Sequence, residues 1–484
     1  MTASPSVTDL LTLEVGPMAH GGHCVARHQG RVVFVRHAIP GETVRAAVTQ
    51  GGASAKFWRA DAVSVIERSE HRRTHPWPAA DAHTAHASGA LPVGGAELGH
   101  ISLAHQRRLK AHVFRDQLAR IGDLTLDRTL LGGFDRDHLT AEGEPRVTAL
   151  DGSSDGLHWR TRADFAVTPE GQLGMHPHRE HEVIPISDMP LAVEALTESP
   201  VFGWDFSGAE HVDLIAPGAR GPLTVIVRTR GEVSSLEERL VDAAGSSPGE
   251  FNLVLARIRP SEPRRSPRRE SSRRRQNSGL RLVHETLLGR HTVDEPLPHP
   301  VAAPDGPRTH VTLRAESFWQ IHRRAPQALI SAVDRMADIG PGESVADLYA
   351  GAGLFTAWAA ERVGPTGHVL SVEAAEASSA SAKDLFQGLN HVEVLKAPVE
   401  RILSRLRSSD LVLLDPPRAG AGERAIAGID AAAPRQIIYV SCDPASFARD
   451  AKALAVRGWR LRDLEVIDMY PNTHHMESVA VFAR

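Results

Sequence analysis

The segment from Ser344 to Thr356, SVADLYAGAGLFT, limits the possible folds more than any other part of the chain. It begins as a buried strand, continues through a glycine turn and ends as the start of a helix. From about residue 309 onward, strand and helix patterns alternate. This alternation is typical of a mostly parallel sheet covered by helices on both faces. We therefore predict an α/β fold with a Rossmann-like C-terminal domain.

The glycine turn predicts a nucleoside-containing cofactor but disfavours a dinucleotide. A dinucleotide site would place a third glycine where this chain has Thr356. The next strand, His368 to Val372, ends in Glu373, and an acid at about this distance after the turn can bind ribose hydroxyls. A site with this acid and without a pyrophosphate cradle suits S-adenosylmethionine. The alternative is a glycine turn that serves only close packing.

Two more strand ends should meet at the same edge of the sheet. Asp415 follows the apolar run that ends at Leu414, and Cys442 follows the run from Ile437 to Val440. Ligands of open α/β sheets bind beyond the carboxyl ends of the strands, so we expect Cys442 to face a pocket. The helix that follows it would stabilise a thiolate. A buried, inert role remains the alternative for any lone cysteine, and we assign that role to Cys24.

The C-terminal tail supplies a candidate proton acceptor. In the run from Tyr470 to Phe482, Glu477 directly precedes a final apolar strand. A carboxylate at this edge is a candidate general base. The alternative is a polar surface turn that leads into the last strand.

The N-terminal region has a different pattern. Short strand-like runs separated by turn residues fill residues 7–67, and they predict a small OB-like β-barrel. A helix is predicted from Leu103 to Ile121, and strands from Leu157 to Arg162 and from Leu223 to Val227. We divide the chain into a barrel at 1–70, a mixed α+β central domain at 71–305 and the α/β domain at 306–484.

Composition and charge restrict the class of protein. Of the 484 residues, 42% are hydrophobic and 24% are charged, which is typical of a globular protein. Two cysteines cannot form a disulfide framework, so we expect the reducing cytoplasm as the compartment. No secretory signal or membrane span is expected. The net charge of −4 does not favour RNA overall, yet residues 259–281 are rich in arginine, serine and proline. We predict a disordered loop there, which is either solvated or in contact with phosphates.

Several motifs together resemble one family. They are Phe318-Trp-Gln-Ile321, Asp347-Leu-Tyr-Ala-Gly-Ala-Gly353, Leu414-Asp-Pro-Pro-Arg418, Val440-Ser-Cys-Asp-Pro444 and Thr473-His-His-Met-Glu-Ser-Val479. On these motifs the chain resembles the RNA (uracil-5)-methyltransferases that carry an N-terminal TRAM barrel. Gly30-Arg-Val-Val-Phe-Val35 and Pro40-Gly-Glu-Thr-Val-Arg45 resemble that barrel. The likeness extends over nearly the whole chain and is loose in its middle.

The resemblance implies a covalent mechanism. Carbon 5 of uracil is too weak a nucleophile for methylation, and addition of a thiolate at carbon 6 turns the ring into a reactive enolate. By similarity, Cys442 is the nucleophile and Glu477 is the base that removes the proton from carbon 5. By the same similarity Gln320, Tyr349, Glu373 and Asp415 bind S-adenosylmethionine, with Asp415 orienting cofactor or base. The substrate would be structured RNA, ribosomal rather than transfer RNA, and the enzyme a monomer.

The chain also departs from the family pattern. Many relatives hold an iron–sulfur cluster on four cysteines, and the corresponding residues here are Trp77, Val93, Ala96 and Met189. None of these can hold such a cluster, so we expect none. Asp443 replaces the family's asparagine next to the nucleophile, and it should raise the pKa of the thiol unless a donor compensates for it.

Metal binding and other functions remain as alternatives. Three histidines of residues 176–181, HPHREH, could tolerate zinc, but no matching second pair is visible and we expect no metal. A catalytically inactive RNA-binding protein would fail to bind S-adenosylmethionine. A methyltransferase acting on transfer RNA would be an enzyme of the same class. A methyltransferase acting on a protein or small molecule would not need Cys442.

Overall fold

The chain forms two compact units in the computed structural model, which describes residues 10–52, 54–126, 145–150, 154–230, 234–247, 249–260 and 280–484. The first unit comprises Met1–Trp159, Pro296–Val311 and Ser317–Arg484. The second comprises Arg160–Glu295 and Thr312–Glu316. Within the described ranges, no helix combines the length and the apolar character needed to cross a membrane.

The N-terminal strands of the first unit form a closed, curled sheet. They are β1 (Leu10–Glu14), β2 (Cys24–His28), β3 (Arg31–Arg36), β4 (Thr43–Gln50) and β5 (Phe57–Glu67), in the order β1-β4-β5-β3-β2. The amide of Gly16, just after β1, donates to the carbonyl of Val25 in β2 at 2.9 Å, and the amide of Val25 donates to the carbonyl of Pro17 at 3.0 Å. These bonds join the two outer strands of the order, so the predicted small barrel is confirmed.

The C-terminal part of the first unit is the predicted α/β sheet. Its strands are β16 (Ser344–Leu348), β17 (His368–Glu373), β18 (Val392–Lys396), β19 (Leu411–Leu414), β20 (Gln436–Ser441), β21 (Arg460–Asp468) and β22 (Glu477–Ala483). Its helices are α5 (Ala325–Met336), α6 (Leu354–Val363), α7 (Glu376–Leu385), α8 (Gly422–Ala432) and α9 (Pro444–Val456). Short 3-10 helices span Val399–Arg401 and Leu403–Ser408.

The order of this sheet explains its apolar strands. It runs β18-β17-β16-β19-β20-β22-β21, with an eighth strand, β6 (Val147–Ala149), beside β21. Strands β16 to β20 are parallel, and β22 is antiparallel to β20. All four residues of β19 and all six of β20 are buried. Such continuous burial is expected where helices cover both faces.

Helix α2 (Leu103–Arg120) packs against α9 and carries a buried charge. Leu109, Phe114 and Leu118 are buried, and the rings of Phe114 and Phe447 lie 5.6 Å apart. Nζ of Lys110 donates to the Asp468 carboxylate at 2.5 Å and to the carbonyl of Tyr470 at 3.0 Å. Helix α2 therefore fixes the chain just before the C-terminal tail. The region before it contains α1 (Ala82–Ala87) and a 3-10 helix at Pro78–Ala80.

The second unit is built on a seven-stranded sheet in the order β13-β12-β11-β10-β7-β8-β9. Its strands are β7 (Arg162–Val167), β8 (Leu173–Met175), β9 (Ile184–Pro185), β10 (His211–Ile215), β11 (Leu223–Arg230), β12 (Phe251–Pro260) and β13 (Leu280–Leu288). Its helices are α3 (Glu194–Thr197), α4 (Ser234–Gly245) and a 3-10 helix at Pro200–Gly203. Strands β14 (Thr292–Val301) and β15 (Arg308–Arg314) pair as a separate ribbon.

Most of the predicted elements occur. The strand predicted from Leu157 is wrong except for its last residue, and the two ends of the predicted loop are strands instead. The helix predicted from Leu103 is α2, and the strand predicted from Leu223 is β11. Residues 157–161 form no strand, because within the described ranges that run has a single strand-type pairing, the isolated bridge from Arg160 to Ala192. Of the predicted loop, 261–279 lie outside the described residues, while its ends pair as Arg259 with Arg281 in β12 and β13. The domain boundaries at 70 and 305 stay predictions.

Candidate active site

The glycine turn after β16 has a backbone that few residues can adopt. Tyr349, Gly351 and Gly353 have φ angles of 61°, 56° and 98°. A Cβ atom on Gly353 would lie 2.7 Å from the ring of Phe386, so both the backbone angle and the space require glycine there. The turn therefore carries no side chain at Gly351 and Gly353, at the carboxyl end of β16, so that a ligand could approach its backbone closely.

Glu373 is held against this turn by two backbone amides. Its Oε2 accepts a hydrogen bond from the amide of Gly351 at 3.0 Å, and its Oε1 accepts one from the amide of Ala375 at 2.5 Å. The side chain is half-buried at the end of β17. The carboxylate is thus fixed at the edge of the sheet, where an acid can bind ribose hydroxyls.

Thr356, where a dinucleotide site would have glycine, bonds to a buried acid. Its hydroxyl donates to Oδ2 of Asp347 at 2.5 Å and lies 2.9 Å from the hydroxyl of Ser371. Burial raises the pKa of Asp347 to about 7, in spite of the hydrogen bonds from Thr356. The other oxygen, Oδ1, is buried and makes no hydrogen bond within the described structure. An unsatisfied buried oxygen beside the glycine turn is the kind of atom a bound ligand would satisfy.

The pairing of β20 with β22 brings Cys442 and Glu477 together. The last pair in this antiparallel register is Ser441 with Ser478, so the next residue outward on β20 is Cys442 and on β22 is Glu477. Cys442 is half-buried in the turn between β20 and α9, and Glu477 is buried. The hydroxyl of Tyr470 donates to Oε2 of Glu477 at 3.3 Å.

Burial and the charges around Cys442 favour the protonated thiol. Burial, and then the carboxylates of Glu477 and Asp415, raise the pKa of Cys442 to about 12, while Arg418 opposes them. Burial and the charge of Asp415 raise the pKa of Glu477 well above its usual range. Burial and the charge of Asp347 raise the pKa of Asp415 to about 7. The stabilisation of a thiolate that we expected from the α9 N-terminus is therefore outweighed by burial and by the acids.

Asp443 has compensating hydrogen-bond donors nearby, as expected for a carboxylate beside the thiol. Its Oδ1 accepts from the amide of Ser446 at 2.7 Å and caps α9, and its Oδ2 lies 3.2 Å from Nε2 of His20 in the barrel. Burial alone would raise the pKa of Asp443, but the bonds to His20 and Ser446 lower it to about 2. Its charge is thus engaged by the cap and by His20, and among the groups that raise the pKa of Cys442 it contributes least.

Comparison with known proteins identifies the family. Residues 309–484 match the family model described as tRNA (Uracil-5-)-methyltransferase. An uncharacterized RNA methyltransferase of Streptomyces avermitilis is 34% identical over 97% of this chain and 97% of its own length. The chain belongs to the RNA (uracil-5)-methyltransferase family. Shewanella sp. MR-7 has a family member named 23S rRNA (uracil(1939)-C(5))-methyltransferase RlmD, 29% identical over 97% of this chain and 95% of that protein.

A solved structure shares the fold of this family member. The Pyrococcus abyssi tRNA (uracil-54, C5)-methyltransferase, solved with S-adenosyl-L-homocysteine, superposes with a TM-score of 0.63 at 19% identity. The alignment covers 97% of this chain and 99% of that one. The predicted combination of a Rossmann-like domain, a small barrel and a mixed region is thereby confirmed.

The methyltransferase fold brings the predicted residues to two neighbouring places. Tyr349 and Glu373 lie at the glycine turn. Cys442 forms a second group with Glu477 and Asp415, whose charges raise the pKa of its thiol. Asp347 connects the two, because its charge acts on Asp415. Gln320 is buried in the segment before α5, and its role in cofactor binding stays a prediction.

Sequence reasoning gave no role to Tyr470, Arg418 or Thr356. Tyr470 and Arg418 lie within motifs that the sequence singled out, so their proximity to the pair could have been suspected. In the sequence, Thr356 stands out only because a dinucleotide site would have glycine at its position. The residues at the four cluster positions, Trp77, Val93, Ala96 and Met189, are all buried apolar side chains.

Proposed function

We propose that this enzyme methylates carbon 5 of a uridine in structured RNA, through a covalent bond from Cys442 to carbon 6 and with Glu477 as the base. The observation that carries the proposal is the pairing of Ser441 with Ser478, which sets a thiol and a buried carboxyl group side by side at one sheet edge. A nucleophile and a proton acceptor are both needed at adjacent atoms of one ring.

The glycine turn has the features that S-adenosylmethionine needs. Glu373 would bind the ribose hydroxyls, and Gly353 places no side chain next to the buried, unsatisfied Oδ1 of Asp347. Tyr349, Gln320 and Asp415 would complete the contacts. When bound, S-adenosylmethionine supplies a methyl group on a positively charged sulfur.

The side chains of this chain then have defined tasks. The thiol of Cys442 gives its proton to water, and its sulfur bonds to carbon 6 of the uracil. The 5,6 double bond opens, and its electrons move to carbon 5 and the carbonyl oxygen on carbon 4, which makes carbon 5 electron-rich. After carbon 5 has gained the methyl group, the carboxylate of Glu477 accepts the proton from carbon 5. The electrons of that C–H bond restore the 5,6 double bond, and the sulfur of Cys442 leaves. A raised pKa makes the carboxylate of Glu477 a stronger proton acceptor, whereas the raised pKa of Cys442 means that its thiol must lose a proton before the sulfur can attack.

The barrel offers a surface suited to RNA. The guanidinium of Arg31 lies 4.4 Å from the ring centre of Trp58, and that of Arg59 lies 5.0 Å from the ring centre of Phe57. The side chain of Phe57 is exposed. Cationic and aromatic groups in alternation bind phosphates and stacked bases of unpaired RNA. This supports RNA as the substrate rather than a small molecule.

We propose 23S ribosomal RNA as the substrate, with transfer RNA as the competing choice. Sequence similarity supports ribosomal RNA, since the Shewanella protein named as a 23S rRNA methyltransferase aligns with nearly the whole chain. The Pyrococcus abyssi enzyme that shares the fold acts on transfer RNA, but at 19% identity this similarity does not indicate which RNA is the substrate here. The flipped uridine would be read in an unpaired loop.

One experiment separates these possibilities. Tritiated S-adenosylmethionine is incubated with unmodified 23S ribosomal or transfer RNA and with wild type, Cys442→Ala or Glu477→Gln enzyme. Wild type should label 5-methyluridine in ribosomal RNA, and Cys442→Ala should label none. Glu477→Gln should slow turnover by about 10²–10⁴-fold and retain an RNA adduct that survives denaturation.

A matched control is Cys24→Ala, which removes the other cysteine of the chain. Cys24 is buried in the barrel, and its Sγ donates to the carbonyl of Ala38 at 3.4 Å. This variant should label RNA at the wild-type rate. Persistent labelling by Cys442→Ala would refute the covalent mechanism, and labelling of transfer RNA alone would refute the choice of substrate.

A further inference from the structure

Three side chains of the second unit converge on a point that the methyl transfer does not use. His284 lies in β13, His291 directly precedes β14, and Glu316 follows the end of β15 by two residues. Their potential ligand atoms all lie within 4.8 Å of one another. This cluster is separate from residues 176–181, where the sequence shows its densest histidines.

The distances within the cluster fit a metal ion. Nδ1 of His284 lies 3.8 Å from Oε1 of Glu316, and Nε2 of His291 lies 2.7 Å from Oε2 of Glu316. The two imidazole rings are 5.1 Å apart, centre to centre. Bonds of about 2.0–2.2 Å from zinc to nitrogen and oxygen require donor atoms roughly 3–4 Å apart in a tetrahedral site. Small side-chain rotations would bring all three donors onto one ion.

Strand pairing holds two of the ligands. His284 is paired with Ala256 of β12, inside a long antiparallel register. The amide of Ala315 donates to the carbonyl of His291 at 3.1 Å, which fixes Glu316 next to that histidine. Ligands held by sheet hydrogen bonds form a more precise site than ligands on free loops.

One ligand atom is buried without a hydrogen bond. Nε2 of His291 is inaccessible to solvent and makes no hydrogen bond within the described part of the chain, although it lies 2.7 Å from Oε2 of Glu316. A buried ring nitrogen that makes no hydrogen bond costs free energy. A cation between the nitrogen and the carboxylate would satisfy both groups.

The surrounding charges permit a divalent cation. Arg228 and Arg314 both act on His284, and they would oppose a cation. Arg228 is compensated by Asp213, whose carboxylate lies 2.7 Å from it. Glu316 adds a negative charge directly at the site. Next to the cluster lies an open depression of about 490 Å³, whose lining includes His284, His291 and Arg314.

We propose that His284, His291 and Glu316 bind a divalent transition-metal ion of the zinc class, with the remaining coordination position open to this depression. Two histidines and one carboxylate with a free position are a known zinc ligand set. The site is independent of the proposed methyl transfer, so either can fail without the other.

The test is zinc binding by the full-length protein. Protein stripped with a chelator is titrated with Zn²⁺ in a calorimeter. Wild type should bind one equivalent, and His291→Ala or Glu316→Gln should weaken binding by at least about 100-fold, because even indirect supports of metal ligands contribute 10–100-fold. His181→Ala, at an exposed histidine of the same unit, should bind like wild type.

A second measurement guards against misfolded variants. Co²⁺ in a site of this kind absorbs visible light, so wild type should become coloured and Glu316→Gln should not, while both keep the same circular dichroism spectrum. The absence of a stoichiometric site in folded wild type would overturn the proposal. Wild-type affinity in both ligand variants would also overturn it.

Discussion

Replacing Asp347 by asparagine should flatten the dependence of protein stability on pH. Burial raises the pKa of Asp347 from its ordinary 3.8 to about 7 in the folded chain. Between these values the folded state keeps a proton that the unfolded state has lost, so the free energy of unfolding falls as pH rises. Above pH 7 the loss is complete, and below 3.8 it is absent.

The size of the effect follows from the shift. Each pKa unit corresponds to about 1.36 kcal/mol, so a shift of roughly three units makes the wild type lose about 4 kcal/mol between pH 4 and pH 8 through this residue. Asparagine cannot ionise, and its amide oxygen can still accept the hydrogen bond from Thr356. Most other titrating groups remain unchanged in both proteins and cancel in the comparison. Asp415 does not cancel: without the charge of Asp347 its pKa is raised less, which flattens the curve of the variant further.

The assay is urea unfolding at a series of pH values without cofactor, with the midpoint and slope fitted at each. The stability of wild type should fall more steeply with pH than that of Asp347→Asn. Asp384→Asn, at an exposed position of α7, is the control and should follow wild type. Parallel curves for wild type and Asp347→Asn would refute the reasoning about this buried acid.

Three further predictions concern a buried charge, a glycine and the thiol. Lys110→Met removes the buried cation of Asp468 and leaves that carboxylate the longer contact with Arg107, at 4.0 Å, so it should lower the free energy of unfolding by about 3–5 kcal/mol in urea. Adding Asp468→Asn should recover part of that loss. Gly353→Ala combines a φ of 98° with a contact of 2.7 Å between the new Cβ and the Phe386 ring, so it should lower the free energy of unfolding by about 1–3 kcal/mol. It should also weaken the binding of S-adenosylmethionine, measured by calorimetry. Gly245→Ala, whose new Cβ would meet no described atom within 4 Å, should do neither. Because the pKa of Cys442 is raised to about 12, methylation rates should rise with pH through and above neutrality, and a flat profile would contradict that assignment.

Local patterns in the sequence predicted the elements that carry the site. The strand, glycine turn and helix around Gly353 are coded within thirteen residues, SVADLYAGAGLFT, and the position of Cys442 follows from one apolar run. The neighbourhood of Cys442 and Glu477 required the register of β20 against β22, which periodicity alone does not give.

The properties that depend on distant contacts were not predictable. The raised pKa of Cys442 comes from burial and from Asp415 and Glu477, which approach it only after folding. His284, His291 and Glu316 belong to three separate segments, so their spacing shows no metal motif. The run from Leu157 has strand composition, but composition cannot show whether a partner strand is present.

The short strand β6 has a consequence for handling the protein. It covers the outer edge of β21, where Val147 to Ala149 pair with Val466 to Asp468. A fragment that begins at residue 306 would lack this strand and present the backbone donors and acceptors of β21 to other molecules. Unpaired edges of this kind recruit further strands and promote aggregation. This fragment expressed alone should therefore precipitate, unless residues 147–149 are supplied as a fused or added peptide.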